Sequence, residues 1–377
     1  MRVSLVDPSA FTPPYDRCLA AALAHAGLDV ELITSRFLYG PVPAADGFAV
    51  REPFYGLAAR SGQGSRLRLP LKALEHPPQM LAAARRAGRE SDLVHWQWVT
   101  WPQLDRFLIR PSGRPRVFTL HYPLPAAGDT AGLRRERAFL GDFDAVITHT
   151  AHGAARLRDE VGLEAERVHV IPHGPLDYLT GLEEEAPLPA EFAVADDDAP
   201  VILFFGLLRP YKGIDTLLEA FAEIDGAELW VAGMPRMPIE PLRELARQAP
   251  GTVRFLPRFI PDREIPALLR RADVLALPYR QIEQSGVLYA GLAFGKPMVL
   301  SDVGGFSEVG RDQGAARLVP PGDPAALATA LRELLADPDE QQRLSAAALA
   351  AVEGPFSWEQ IAARTIDLYE ALLAGSR

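Results

Sequence analysis

The sequence contains one cysteine, no asparagine, and only three lysines against thirty-six arginines. Because Cys18 stands alone, we expect neither a disulfide within the chain nor a cluster of thiolate metal ligands. No apolar run approaches the ~20 residues that a membrane-spanning helix requires. The first residues also lack the architecture of a signal peptide. These absences lead us to expect a cytoplasmic protein.

Several familiar site motifs are incomplete in this sequence. The segment that begins at Gly62 lacks the third glycine of a dinucleotide-binding loop and follows no predicted strand. The segment from Gly291 to Pro297 has three residues between its glycines where a phosphate-binding loop has four. His169 and His173 are four residues apart, but they flank the end of a strand and do not form a zinc-binding helix. An NAD-dependent oxidoreductase is therefore disfavoured.

Short apolar runs alternate with helical patterns along the chain, which predicts parallel sheets covered by helices. A length of 377 residues fits two domains of ~180 residues each. The acidic, proline-bearing stretch 180–200 is the best candidate for a linker. We therefore predict an α/β protein with two Rossmann-like domains that face an interdomain cleft. The predicted strands are 3–6, 30–34, 93–96, 117–120, 145–148, 168–171, 201–205, 228–232, 253–256, 274–277, 298–300 and 317–319; the clearest predicted helices are 17–26, 325–336, 340–351 and 358–373, with a short helix from near Pro78.

Charge is unevenly distributed. Residues 1–178 carry a net charge of +2 and the remainder −12, within an overall −10. Residues 60–116 hold eleven basic against four acidic residues, a stretch that either is solvated surface or attracts an anionic acceptor or membrane. The overall negative charge, with no aromatic residues interleaved among the cations, argues against nucleic acid.

The segment from Val201 to Phe221 is the most informative one. It reads as a buried strand, a glycine turn at Gly206, two cations at Arg209 and Lys212, and an amphipathic helix from Gly213. A strand that leads through a glycine turn into a helix is where α/β sheets bind phosphate. Lysine is a compact charge suited to phosphate, and it is rare in this chain. A solvated turn with two surface cations is the alternative.

Further motifs follow the strand ends along nearly the whole chain. Taken in order and spacing, they resemble the retaining glycosyltransferases of family 4, two-domain enzymes of the GT-B fold. Each motif is weak alone, and together they are strong. They are Pro13-Pro-Tyr-Asp16, Val94-His-Trp-Gln97, Thr119-Leu-His-Tyr122, Ile171-Pro-His-Gly174, Gly206-Leu-Leu-Arg-Pro-Tyr-Lys-Gly213, Gln284-Ser-Gly-Val287, Ala293-Phe-Gly-Lys-Pro297, Asp302-Val-Gly-Gly-Phe-Ser-Glu308 and Phe356-Ser-Trp358.

The resemblance implies an acceptor-binding domain over 1–178, a donor-binding domain over 179–356, and a last helix, 357–377, that returns to the first domain. It implies a nucleotide-diphosphate sugar as donor, with no cofactor and no metal. Arg209 and Lys212 would neutralise the departing diphosphate. The backbone N–H groups at the start of a helix would hold the distal phosphate. The donor-binding residues implied are Gly206, Arg258, Phe259, Ile260, Ser285, Gly286 and Val287. Of these, the loop of Arg258, Phe259 and Ile260 would grip the base, with a place in the hydrophobic core as the alternative for Phe259.

The catalytic residues implied are His121, Arg209, Lys212 and Glu283. His121 follows a strand and points toward the predicted cleft, where the family's histidine lies near the transferred sugar. One departure concerns two glutamates, eight positions apart in the family. A gap-free alignment places them at Ile282 and Ala290, so both are missing, and only a one-residue slip brings Glu283 to the first position.

For the acceptor, we expect Tyr15, Asp16, Trp96 and Gln97 to contribute, because they lie at strand ends of the first domain. Pro13 and Pro14 replace the family's paired glycines, which suggests a stiffer wall, and the nearby tryptophans suggest stacking. A glycan or lipid-linked acceptor is favoured over a small molecule, with peripheral contact at the inner membrane face as a further expectation.

We expect a retaining hexosyltransferase. Two alternatives remain: a nucleotide-sugar epimerase or phosphorylase of the same fold, which would turn over without a separate acceptor, and a non-catalytic sugar-nucleotide or glycan-binding protein, which the missing glutamates would favour.

Overall fold

The computed structural model describes residues 1–62, 65–109, 114–126, 128–192 and 199–375. The chain forms two compact units: Met1–Gly174 together with the chain from Trp358 onward, and Pro175–Ser357. Each unit contains one parallel sheet. Among the described helices, none combines the length and the apolar character that crossing a bilayer requires.

The first unit contains a seven-stranded parallel sheet in the order β3-β2-β1-β4-β5-β6-β7. Its strands are β1 Arg2–Asp7, β2 Asp29–Ser35, β3 Ala49–Phe54, β4 Leu93–Trp96, β5 Arg116–Thr119, β6 Ala145–Thr148 and β7 Val168–Val170. Its helices are α1 Pro13–His25, α2 Gly56–Arg60, α3 Arg68–Glu90, α4 Pro102–Leu108, α5 Thr130–Leu140 and α6 Ala151–Arg156, which continues as a π-helical turn over Leu157–Val161.

The second unit contains a six-stranded parallel sheet in the order β10-β9-β8-β11-β12-β13. Its strands are β8 Val201–Phe205, β9 Glu228–Ala232, β10 Thr252–Leu256, β11 Val274–Leu277, β12 Met298–Ser301 and β13 Arg317–Val319. Its helices are α7 Ile214–Phe221, α8 Glu240–Ala246, α9 Ile265–Arg271, α10 Gly286–Ala293, α11 Gly304–Asp312, α12 Pro324–Leu335 and α13 Pro338–Glu353.

The last helix, α14 (Trp358–Gly375), packs on α1 in the first unit. The hydroxyl of Tyr369 on α14 lies 2.6 Å from His95 Nδ1 at the centre of the sheet. Trp358 packs directly against Gly174, where a Cβ atom would lie only 2.4 Å from the indole. The carboxyl-terminal helix is therefore an integral part of the first unit.

The stretch 180–200 is not the free linker that its composition predicts. Leu179 and Phe192 are both buried in the hydrophobic core of the second unit, and Phe192 stacks on Trp230 with ring centroids 4.6 Å apart. Burial of these apolar side chains fixes the segment to the unit that follows it. The Asp196–Asp198 part of the prediction lies outside the described residues.

Two predicted helix starts are wrong. Helix α1 begins at Pro13 and not at Arg17, because proline is well tolerated in the first turn, where its missing N–H would have no partner. Helix α3 begins at Arg68 and runs through Pro77 and Pro78. Its interior prolines cost hydrogen bonds. Buried contacts offset that cost, among them the Glu75 carboxylate, which accepts the N–H groups of Leu57 and Ala58 at 2.9 Å each.

Candidate active site

Lys212 lies on the short turn Pro210–Lys212 between β8 and α7. Its Nζ donates a hydrogen bond to the Tyr279 hydroxyl at 2.9 Å and sits 4.6 Å from the centre of that ring. The residue is 7% exposed, and burial lowers the pKa of its ammonium to about 8. Within the described parts of the chain no carboxylate forms an ion pair with it. A buried cation without a carboxylate partner among the described residues is costly unless a ligand supplies the negative charge.

The backbone at the end of β8 closely approaches this ammonium. A Cβ atom at Gly206 would lie 3.0 Å from Lys212 Nζ and 3.1 Å from Val287 Cγ2. Gly206 also has a φ of 121°, a conformation that residues with a side chain rarely adopt. Strand end, lysine and the start of α10 therefore meet at one point.

Helix α10 begins immediately after Ser285, which is buried and contacts the Tyr279 hydroxyl. Its first N–H groups have no partner within the helix, and a helix N-terminus favours anions. The structure thus brings together Gly206, Lys212, Ser285, Gly286 and Val287.

The remaining predicted residues of this unit contribute differently. Arg209 is exposed on the same turn as Lys212, and its carbonyl accepts the Lys212 N–H at 3.0 Å. The carbonyl of Glu283 accepts the Gly305 N–H at 3.1 Å, which fixes the loop before α10 to the start of α11. Nothing in this arrangement assigns a role to the Glu283 carboxylate.

The loop after β10 holds the three residues predicted to grip the base. Arg258 pairs with Glu264 at 2.7 Å, and Phe259 is 37% exposed. The side chain of Ile260 is buried in the hydrophobic core, so only its backbone remains for a ligand. Exposure of Phe259 excludes the alternative that it is a core aromatic.

His121, just after β5, lies in a cluster of polar and aromatic side chains at the carboxyl edge of the first sheet. Its Nε2 is 2.9 Å from Gln97 Oε1, and its Nδ1 is 3.2 Å from His149 Nε2. Trp98 stacks on the imidazole with centroids 5.4 Å apart and an angle of 15°. Tyr15 packs edge-on against the same ring at 4.8 Å. The histidine is thus held from four directions.

The histidines of this cluster are uncharged at neutral pH. Burial, and then the fields of His149, His173 and His95, hold the pKa of His121 well below its ordinary 6.5. Burial also lowers the pKa of His149 to about 4 and those of His95 and His173 to about 3. A neutral imidazole can accept a hydrogen bond or a proton, which a protonated ring cannot do.

None of the four predicted acceptor residues lines an open loop. Trp96 is 1% exposed and packs in the core of the first unit, because it still belongs to β4. Tyr15 and Asp16 lie in the first turn of α1 and are buried, which removes the stiff loop wall predicted from the prolines. Gln97 is also buried, and it bridges His95 and His121.

Sequence reasoning missed Trp98 and His149. Trp98 lies two residues beyond β4, is partly exposed, and donates its indole N–H to Thr12 Oγ1 at 2.8 Å. His149 directly follows β6. Their positions in the sequence could have identified both residues, because residues just past the carboxyl ends of parallel strands lie at the edge where such sheets bind ligands.

Asp16 forms a buried pair of carboxyl groups with Asp7. Asp7 Oδ2 accepts the N–H of Phe11 at 2.6 Å, and Oδ1 accepts that of Ser9 at 3.1 Å. Burial first, and then the charge of Asp7, raise the pKa of Asp16 well above its ordinary value. Since two adjacent buried carboxylates cannot both ionise, the pair shares a proton, and Asp16, whose pKa is raised further than that of Asp7, is the member that holds it.

Among the described residues, no group of three or more histidine, cysteine, aspartate or glutamate side chains is placed to hold a metal ion.

Comparison with known proteins identifies the family. Residues 17–174 match the family described as Glycosyltransferase Family 4, and residues 199–337 match Glycosyl transferases group 1. The chain is 30% identical to the D-inositol 3-phosphate glycosyltransferase of Nocardia farcinica, over 94% of this chain and 83% of that protein. The corresponding protein of Geodermatophilus obscurus is also 30% identical, over 92% and 80%.

Solved structures confirm the fold. The sucrose-phosphate synthase of Thermosynechococcus elongatus superposes with a TM-score of 0.76 at 24% identity, covering 100% of both chains. Anabaena HepE in complex with UDP-glucose gives 0.69 at 19% identity, over 98% of this chain and 100% of that one. The chain therefore belongs to the family 4 glycosyltransferases, enzymes of the GT-B fold.

Proposed function

We propose that this glycosyltransferase moves a hexose from a nucleotide-diphosphate sugar to an acceptor hydroxyl and retains the anomeric configuration. The observation that carries the proposal is the ammonium of Lys212, buried without a carboxylate partner among the described residues, beside Gly206 and the start of α10. A diphosphate would supply the missing negative charge. The family relationship and the UDP-glucose complex of Anabaena HepE support a nucleotide sugar as its source.

In this proposal each donor residue has a distinct task. Lys212 and the exposed Arg209 neutralise the charge that develops on the departing diphosphate, without a metal ion. The first N–H groups of α10, from Gly286 and Val287, hold the distal phosphate with Ser285. The loop of Arg258, Phe259 and Ile260 contacts the base. Glu283, three residues before the start of α10, is the remaining proposed catalytic group.

The transfer breaks the bond between the sugar C1 and the diphosphate oxygen and forms one between C1 and the acceptor oxygen. Attack on the face from which the diphosphate departs retains configuration. The acceptor hydroxyl gives its proton to the leaving phosphate, so no enzymic nucleophile is required. We assign His121 to orient the transferred sugar, with its ring kept neutral by burial.

The acceptor binds, in this proposal, to the first unit. We favour a glycan or lipid-linked acceptor, because the basic stretch 60–116 would attract an anionic carrier or membrane surface. Lys72 and Arg68 of this stretch lie on α3. A small phosphorylated polyol is a second candidate, because the relatives at 30% identity are named as D-inositol 3-phosphate glycosyltransferases. Both candidates present a hydroxyl to His121.

A thermal-shift panel of uridine-, guanosine- and adenosine-diphosphate sugars tests the donor, because binding to the native state raises its melting temperature. We expect the sugars of one base to raise the melting temperature more than those of the other two.

The variants test the site residues. We expect Lys212→Ala and Arg209→Ala each to lower the transfer rate ~100-fold while the fold stays intact. Arg243→Ala, which removes an exposed arginine of α8, is the control. Near-normal turnover in both site variants would refute the donor assignment. Turnover of the donor without an acceptor would favour an epimerase or phosphorylase.

A further inference from the structure

A cationic pocket opens at the carboxyl edge of β1, β2 and β3 in the first unit. It is open to solvent, and its walls include Ser9, Arg36, Tyr55, Arg68 and Lys72. None of the described residues that line it is an aspartate or a glutamate. Three cations therefore face one pocket without an acidic side chain in its wall.

None of the three cations is neutralised by an ion pair within the described residues. Lys72 Nζ donates one hydrogen bond, to Ser9 Oγ at 2.8 Å, and lies 4.6 Å from the Tyr55 ring centre and 5.7 Å from that of Phe11. An ammonium has three donors, so the lysine keeps donors available for a ligand. Burial and the field of Arg68 lower the pKa of Lys72, while Asp7, which lies outside the pocket wall, opposes them.

A continuous chain of hydrogen bonds holds Lys72 in place. From the lysine it runs through Ser9 and Thr100 (2.7 Å apart) to the Tyr55 hydroxyl (3.0 Å). The chain then continues to His76 Nδ1 at 2.7 Å and ends at the buried carboxylate of Asp105, 2.5 Å from His76 Nε2.

Every donor in this chain can point the same way. The lysine donates to Ser9, each hydroxyl donates to the next, Tyr55 donates to the imidazole, and His76 Nε2–H donates to Asp105. Asp105 is itself fixed, because its other oxygen accepts the N–H groups of Thr100 and Trp101 at 2.9 and 2.8 Å. A network satisfied in one direction orients its terminal ammonium rigidly, which is what an anion-binding group requires.

The pocket is also connected to His121. Phe11, next to Lys72, packs against Trp98 with ring centroids 4.9 Å apart, and Trp98 stacks on the imidazole of His121. All of these residues belong to the first unit. An acceptor anchored at Lys72 would therefore extend over Phe11 and Trp98 toward His121.

We propose that Lys72, with Arg68 and Arg36, binds a phosphate group on the acceptor and thereby positions its hydroxyl at His121. The inference rests on the proposed transferase function and deepens it by naming the acceptor's chemical class. A compact ammonium between two guanidinium groups suits the dense charge of a phosphate ester. The phosphate belongs either to a soluble sugar or polyol phosphate or to a lipid headgroup.

The test compares the full-length wild type with Lys72→Met, which keeps the unbranched stem, and with Arg68→Gln. Arg89→Gln is the matched control, an exposed arginine on the same helix outside the pocket. Calorimetric titration uses glucose 6-phosphate against glucose, and inorganic phosphate. Co-sedimentation uses phosphatidylglycerol vesicles against phosphatidylcholine vesicles. Phosphate can also bind at Lys212. The binding at the pocket is therefore measured as the difference in affinity for each probe between the wild type and Lys72→Met.

We expect the wild type to prefer at least one phosphate probe over its neutral counterpart. Loss of the charged contact at Lys72 should weaken that binding about 10–100-fold, Arg68→Gln should weaken it less, and Arg89→Gln should leave it unchanged. If binding of glucose 6-phosphate depends on Lys72, the acceptor is a soluble phosphate ester. If only binding to the anionic vesicles depends on Lys72, the acceptor is a lipid. Equal binding by wild type and Lys72→Met, or no preference for any phosphate probe, would overturn the inference.

The same proteins are titrated with the nucleotide sugar chosen by the thermal-shift panel. If the wild type binds no nucleotide sugar, the proposed function fails whatever the phosphate result. If nucleotide-sugar binding survives in all variants and phosphate binding does not depend on Lys72, only the acceptor inference fails.

Discussion

The Nε2 atom of His149 lies 3.2 Å from the Nδ1 atom of His121, and the other nitrogen of His149 lies 3.0 Å from the carbonyl oxygen of Ile171. A carbonyl oxygen only accepts, so His149 Nδ1 carries the proton of the neutral ring. His149 Nε2 is then an acceptor, which places the proton of His121 on Nδ1. Gln97, on the far side, can present either end of its amide by a half-turn. His149 thereby fixes the lone pair of His121 on Nε2.

We therefore predict that His149 is a positioning residue for the transfer reaction. In His149→Gln the terminal amide can still accept from His121, whereas the shorter side chain in His149→Asn reaches only the Ile171 carbonyl. We expect kcat to fall about 10-fold in the asparagine variant and less in the glutamine variant, with nucleotide affinity unchanged in both. Steady-state kinetics and nucleotide titration measure the two quantities. Equal kcat in the two variants would contradict the tautomer argument.

Lys212 predicts a pH dependence of donor binding. Its folded-state pKa of about 8 lies below the ordinary 10.5, so the charged form is lost as the pH rises through 8. If the diphosphate requires the ammonium, nucleotide affinity should fall above pH 8 and approach a tenfold loss per pH unit. Lys212→Arg cannot titrate in this range and should bind more weakly but with a flat profile. Titrations from pH 7 to 9.5 compare the two, and a flat wild-type profile would contradict the assignment.

Gly213, between the donor lysine and α7, predicts a stability effect. It has a φ of 64°, and a Cβ atom there would lie 2.0 Å from the Pro278 carbonyl oxygen. Gly213→Ala must therefore move the backbone as well as strain its own conformation, and we expect a loss of about 3 kcal/mol in the free energy of unfolding. Gly226 has a φ of 71° but nothing within 4 Å of its Cβ position. Gly226→Ala should then lose only about 1 kcal/mol, from the left-handed backbone alone. Urea unfolding measures the free energy of unfolding of each variant. Losses of equal size would show that the close approach to Pro278 adds nothing to the cost of the left-handed backbone.

The strands were largely predictable because buried parallel strands are unbroken runs of valine, isoleucine and leucine, as in Val201–Phe205. Strand β3 was missed because Arg51, Glu52 and Pro53 interrupt it at the edge of the sheet, where charge and proline are tolerated. The sequence also indicated the surroundings of Lys212, since strand, glycine and lysine are local there. It could not indicate that Tyr55, His76 and Asp105 join into one network, because tertiary packing alone brings those residues together.

The Asp7–Asp16 pair predicts that Asp16→Asn stabilises the protein at high pH. The folded-state pKa of Asp16 is raised above 3.8, so its contribution is fully present below that value and is lost as the pH rises through the folded pKa. The loss amounts to about 1.4 kcal/mol for each pH unit between the two pKa values. An asparagine amide donates to Asp7 without needing a bound proton, so the variant escapes this loss. The unfolding free energy of the variant should therefore exceed that of the wild type by a growing margin as the pH rises. The contribution of the buried histidines is the same in both proteins and cancels in the difference.

Asp7→Asn is the control for this prediction. It loses the carboxylate that accepts the N–H groups of Ser9 and Phe11 and should be destabilised at every pH. Parallel curves for wild type and Asp16→Asn would mean that Asp16 carries no shared proton.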